Sequence, residues 1–148
     1  MRKRIMALGL LLIMLFGVAS VANAAVKDSA SVMASEYINS CSAAVYAYSG
    51  GTLEIFFDIR SPGTMDKVGA KTIVLQERVA AATTWNPVHT FSYLNDSGML
   101  KSGAIMHNYS VSYDGAVAGN SYRAKVYFYA EKGGYDTVEY ITNSVKAK

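Results

Sequence analysis

Residues 121–142 read SYRAKVYFYAEKGGYDTVEYIT, and how they are read decides the fold. From Tyr122 to Glu131 the side chains alternate. Tyr122, Ala124, Val126, Phe128 and Ala130 fall on one face, and Arg123, Lys125, Tyr127, Tyr129 and Glu131 on the other. Period-two alternation of β-branched and aromatic residues is the pattern of a half-buried strand. Lys132-Gly133-Gly134 then supplies the positive φ that a tight turn needs, and Tyr135 to Thr142 alternates again. A three-residue loop pairs Glu131 with Tyr135, so that Phe128 faces Val138 and Val126 faces Tyr140. A two-residue loop would set Phe128 against Glu139. Because a one-residue slip moves a whole side-chain set to the other face, the three-residue loop is expected.

The outer face of this hairpin carries Tyr127 and Tyr129 beside Arg123, Lys125, Thr137 and Glu139. On a solvated sheet Lys125 and Glu139 would be cross-strand charge neighbours. Arg123, Lys125, Tyr127 and Tyr129 also form the candidate ligand-binding set, since Tyr offers flat area together with a hydroxyl. The chain has 11 tyrosines, and a second pair, Tyr46 and Tyr48, shares a face nearer the N-terminus. Such faces suit stacking on sugar rings or docking on a protein.

The first 24 residues read as a cleaved secretory signal peptide. Arg2, Lys3 and Arg4 give the basic start, Ile5 to Val18 the apolar stretch, and Val21-Ala22-Asn23-Ala24 the A-x-A cleavage pattern. The apolar run falls short of the roughly 20 residues a membrane span needs. Cleavage after Ala24 leaves 124 of the 148 residues, about the size of one domain. Of 14 Lys+Arg, the three in the leader are lost, and the remaining 11 balance 11 Asp+Glu. A net charge near zero gives no support to nucleic-acid binding or to attraction by an anionic membrane. Cys41 is the only cysteine, so it is either a buried thiol or half of an intermolecular disulfide.

Residues 25–34 read as a flexible arm and 35–148 as one β domain. Within it, Glu36–Tyr48 is expected to be extended, followed by a turn at Ser49-Gly50-Gly51. Thr52–Arg60 is a strand with Leu53, Ile55, Phe57 and Ile59 inward and Glu54, Phe56, Asp58 and Arg60 outward. Ser61-Pro62-Gly63-Thr64 reads as a turn. Ala70–Val79 is a strand with Ile73 and Leu75 inward. Trp85–Tyr93 is extended, and Pro87 puts it at a sheet edge. Leu94–Gly103 reads as a polar loop, Ala104–Tyr113 as a strand, and Lys146–Lys148 as a short basic end. About seven strands punctuated by turns is the pattern of an all-β sandwich.

Ala118-Gly119-Asn120-Ser121-Tyr122, followed by Ala124, Val126 and Phe128, resembles the tyrosine-corner segment of fibronectin type III and immunoglobulin-like domains. The stretch KTIVLQERVAAATTWNPVHTF resembles their middle strand pair. The resemblance implies an immunoglobulin-like antiparallel sandwich without the usual disulfide. In it Tyr122 would bond back to upstream backbone and Trp85 would be a structural residue. The chain as a whole resembles the short secreted proteins of unknown function found in Gram-positive bacteria. The resemblance brings no catalytic residues with it.

Catalytic and metal motifs are not found in the sequence. His89 and His107 lack H-x-x-x-H or H-E-x-x-H spacing, there is no G-x-S-x-G elbow, and no calcium loop joins the scattered acids. No metal and no cofactor is expected. The leading expectation is a secreted, non-enzymatic module that binds a protein or a glycan. The alternatives are a small secreted hydrolase built on His89 or His107, which needs an acid and a hydroxyl beside the imidazole, and a secreted effector or toxin.

Overall fold

In a computed structural model of the chain, residues 35–148 are described; the expected signal peptide of residues 1–24 and the expected arm of 25–34 lie outside them. Among the described residues nine strands are present: β1 Ser40–Ala47, β2 Leu53–Met65, β3 Lys67–Arg78, β4 Asn86–Ser92, β5 Leu100–Lys101, β6 Ala104–Tyr113, β7 Ser121–Glu131, β8 Tyr135–Ile141 and β9 Val145–Lys146. They form two antiparallel sheets. Sheet A runs β1-β2-β6, and sheet B runs β4-β3-β7-β8, with β5 added to β3 and β9 to β7. The chain passes from A to B, back to A through β6, and again to B. This alternation gives an all-β antiparallel sandwich. Among the described residues there is no α-helix, and the one helical turn is a 3₁₀ turn, Ser97–Met99.

The β7–β8 hairpin takes the register that the three-residue loop dictates: Glu131 pairs with Tyr135, Phe128 with Val138 and Val126 with Tyr140. Gly133 supplies the positive φ, at 71°. Both inner faces follow the alternation. Leu53, Ile55, Phe57 and Ile59 of β2, Ile73 and Leu75 of β3, and Ala124, Val126 and Phe128 of β7 are all sealed from solvent. The sheets meet at Phe57 and Phe128, whose rings pack edge to face with centroids 5.9 Å apart, a favoured aromatic geometry. Pro87 lies in β4, an edge strand, where its missing N–H breaks no ladder bond.

Two expectations are corrected and one is extended. Ser61-Pro62-Gly63-Thr64 is not a turn. It lies within β2, and the pairing with β6 slips there, between Arg60 and Met65. A bulge absorbs the proline that a regular ladder could not. The Leu94–Gly103 segment is not only polar loop, because Met99 is fully buried in the core. Asp96 caps the 3₁₀ turn by accepting from the Gly98 N–H at 3.0 Å. Gly69 makes room for it, since a Cβ there would stand 2.1 Å from the Met99 carbonyl oxygen. The basic end is also structured: β9 pairs with β7, and Ala147 is buried. The short β5 and β9, too brief to show periodicity, account for nine strands where about seven were expected.

Tyr122 ties the loop before β7 to the sheet. The Val117 N–H donates to its hydroxyl at 2.8 Å. The hydroxyl in turn donates to Glu77 of β3. Asn120 donates to the same Glu77 oxygen at 2.9 Å and accepts from the Ala80 N–H at 3.2 Å. One network therefore fixes the end of β3 and both loops beside it.

Candidate functional site

The outward residues of sheet A form an aromatic platform. β1 and β2 are joined by the Ser49-Gly50-Gly51 turn, with the Tyr48 N–H bonded to the Thr52 carbonyl at 2.9 Å. The register sets Tyr46 opposite Glu54 and Ala44 opposite Phe56. Phe56 also faces Ser110 of β6. Its cross-strand neighbours are thus small on both sides, and its ring stays open. Tyr46, Tyr48 and Phe56 are 51%, 50% and 39% exposed. The Tyr48 hydroxyl donates to Glu54 Oε2 at 3.0 Å. That bond holds the Tyr48 phenol above its ordinary pKa. Together Tyr46, Tyr48, Glu54 and Phe56 line an open depression of about 290 Å³.

The sequence showed that Tyr46 and Tyr48 share a face, and that Glu54 and Phe56 point outward. It was the strand pairing that joined the two sets. The signal for it lay in the Ser49-Gly50-Gly51 turn, which brings Tyr46 against Glu54 once β1 and β2 are read as a hairpin.

The outward face of sheet B carries the four residues first singled out, in a different arrangement from the expected exposed tyrosine pair. Tyr127 is half-buried, opposite Glu139 of β8 and Thr72 of β3. Tyr129 is only 5% exposed. The Lys71 ammonium sits 3.4 Å from its ring centroid, Tyr135 packs beside it with centroids 5.8 Å apart, and its hydroxyl donates to Glu131 at 2.9 Å. Burial first, then Glu131, pushes its phenol up to about 12. The cause is the register slip between Ala70 and Thr72 in β3. In a regular strand Lys71 would share the inward face of Ile73, and the bulge turns it outward over Tyr129. Lys125 pairs with Glu139 at 3.0 Å, and the Arg123 Nε donates to Gln76 at 2.9 Å. Trp85 does not enter the core. It is half-buried on this outer face, against Arg78 and Arg123.

Among the described residues, neither histidine has an acid and a hydroxyl hydrogen-bonded to it, the setting that the hydrolase alternative requires. His107 Nε2 lies 2.7 Å from the Gly98 carbonyl oxygen and its ring stacks on Tyr109. His89 is exposed at the β4 edge against Phe91 and Tyr113. Asp96 is engaged by Tyr109 and by the turn it caps. Among the described residues no three His, Cys, Asp or Glu side chains are grouped to hold a metal ion, and no helix is long and apolar enough to cross a membrane. Cys41 is a buried free thiol.

Comparison with known proteins finds no family model that matches the chain and no curated protein that does.

Proposed function

We propose that this protein is a secreted, non-enzymatic binding module that recognises a glycan chain through the aromatic face of sheet A. The observation that carries this reading is the contiguous exposure of Tyr46, Tyr48 and Phe56 around Glu54. Exposed rings on a rigid sheet offer apolar area at little entropic cost. A pyranose presents a matching apolar face of C–H groups. The free lone pairs of Glu54 and the hydroxyls of Ser110 and Ser112 beside it suit the sugar's own hydroxyls, and a carboxylate accepts the stronger hydrogen bonds. Export is supported by the leader pattern of residues 1–24. The strand order of the two sheets and the Tyr122 bond to Val117 support the fibronectin type III-like reading.

The test is a pull-down of the purified protein on insoluble polysaccharides such as cellulose, chitin and peptidoglycan, beside the Tyr46→Ser/Tyr48→Ser/Phe56→Ser variant. These side chains lie outside the core, so the variant should keep its melting temperature and lose at least tenfold in retention, about 1.4 kcal/mol. Retention of the variant equal to that of the parent chain refutes the assignment, as does the absence of any bound polysaccharide.

A further inference from the structure

The outer face of sheet B gathers cations at one end. Arg78, the last residue of β3, lies opposite Ser121 of β7, which lies opposite Lys146 of β9. Paired residues share a face, so these three form one row, and Arg123 stands two residues along β7 on the same face. Among the described residues the one ion pair is Lys125–Glu139. Arg78, Arg123 and Lys146 have no acidic partner there.

Trp85 organises this corner. The guanidinium carbons of Arg78 and Arg123 lie 4.8 and 4.5 Å from its ring centroid. A cation–π contact engages the flat face of a guanidinium and leaves the N–H groups along its edge free to donate. Arg123 is oriented further by its Nε bond to Gln76 at 2.9 Å, which spares both terminal NH₂ groups. Arg78 is held in place by the network at the end of β3, where Asn120 bridges Glu77 and the Ala80 N–H. Packing β4 against the sheet would need only one such cation. Two guanidiniums at 4.8 and 4.5 Å from one indole centroid repel each other, and an anion that accepts from free N–H groups of both relieves that repulsion.

We propose that the corner formed by Arg78, Arg123, Lys146 and Trp85 binds a tetrahedral oxyanion, a phosphate or sulfate group carried as a monoester on a larger ligand. The site lies on the sheet opposite the aromatic platform and does not depend on that platform's function.

Trp85 is the only tryptophan in the chain, so its fluorescence reports on this site alone. The purified protein is titrated with sodium phosphate and sodium sulfate, with sodium chloride at matched ionic strength as control. A saturable change is expected with half-saturation at about 1–10 mM for the inorganic anions, and none with chloride. R78Q/R123Q should raise the half-saturation at least tenfold. R78K/R123K, which keeps the charge but loses the planar fork, and K146Q, which leaves the indole contacts intact, should each raise it about threefold or more. Dextran sulfate should displace the inorganic anion at lower concentration, and unsulfated dextran should not. The proposal fails if phosphate and sulfate act no differently from chloride. It also fails if all three variants respond like the parent protein, or if unsulfated dextran competes as well as its sulfate.

Discussion

Replacing Tyr122 by Phe removes one oxygen and keeps the ring. The aromatic packing survives, so the loss isolates two hydrogen bonds. The Val117 N–H, donated to the hydroxyl at 2.8 Å, loses its partner at a cost of about 1 kcal/mol, since Val117 is exposed and water can replace the bond. The bond from the hydroxyl to Glu77 ends on a carboxylate and contributes about 1.5–2 kcal/mol. The sum is about 2.5–3 kcal/mol. At about 2.1 cal/mol/K per residue, the 114 residues from 35 to 148 give an unfolding entropy of about 0.24 kcal/mol/K. The expected fall in Tm is therefore about 10–12 °C, read by calorimetry alongside a urea titration. A change below about 0.5 kcal/mol would show that the corner shapes the loop without stabilising it, and the reasoning would be wrong.

The same bond has a pH signature. The hydrogen bond from Tyr122, and then that from Asn120, hold the Glu77 carboxyl below its ordinary pKa. A carboxyl depressed on folding contributes stability that is present above its unfolded pKa and lost as pH falls through the folded one. The gap between parent and Tyr122→Phe should thus be widest at neutral pH and shrink on acidification toward about pH 3. In a Glu77→Gln background the gap should be smaller and nearly flat with pH. A gap that widens in acid would mean that the neutral carboxyl, rather than the carboxylate, is the preferred partner.

Two further outcomes can be measured. Gly69 (φ 153°) and Gly133 (φ 71°) both adopt positive φ, yet their Ala variants should differ. At Gly69 the new Cβ meets the Met99 backbone oxygen at 2.1 Å, costing about 3–5 kcal/mol. At Gly133 it meets nothing within 4 Å, leaving only the conformational cost of about 1 kcal/mol. Equal losses in urea denaturation would refute the close approach of Met99 to β3. Cys41 should react slowly with a thiol-specific disulfide reagent at neutral pH, because burial raises its thiol to about 11 and the thiolate is the nucleophile. The protein should also run as a monomer without reductant. Fast stoichiometric labelling of the native protein, or a disulfide-linked dimer, would reverse this.

The β7–β8 hairpin was legible because alternation, turn chemistry and register all agree, and the slipped pairing would have buried Glu139 against Phe128. β2 was legible on its inner face for the same reason. What the sequence hid were events that break a period. The bulge at Ala70–Thr72 turns Lys71 over Tyr129, so a tyrosine that alternation places outward is covered by another side chain. The bulge at Arg60–Met65 lets Pro62 stay in a strand. Met99 and Leu100 are two apolar residues in a polar stretch, too short a signal for any periodicity to detect. The platform was half legible. Which residues point outward follows from alternation within a strand, but which of them meet follows from pairing between strands.

That distinction bears on why the two outer faces are read differently. On sheet B the aromatic rings have partners: Lys71 lies over Tyr129, and Arg78 and Arg123 lie against Trp85. The apolar area of Tyr129 and Trp85 is already partly covered, and although Tyr135 stays 68% exposed at the hairpin end, the cations set this face apart. On sheet A the order is reversed. In β2, Ile55 and Phe57 are sealed in the core while Phe56 between them stands 39% exposed. The solvent side of an antiparallel sheet ordinarily takes polar residues, and its neighbours Glu54 and Asp58 follow that rule. Phe56 does not, and Tyr46 and Tyr48 extend the same apolar area along β1. The core is closed without any of the three, so folding does not require them, and exposed contiguous rings carry a solubility cost. That apolar surface, which the core does not use, is the ground on which the proposed stacking role rests.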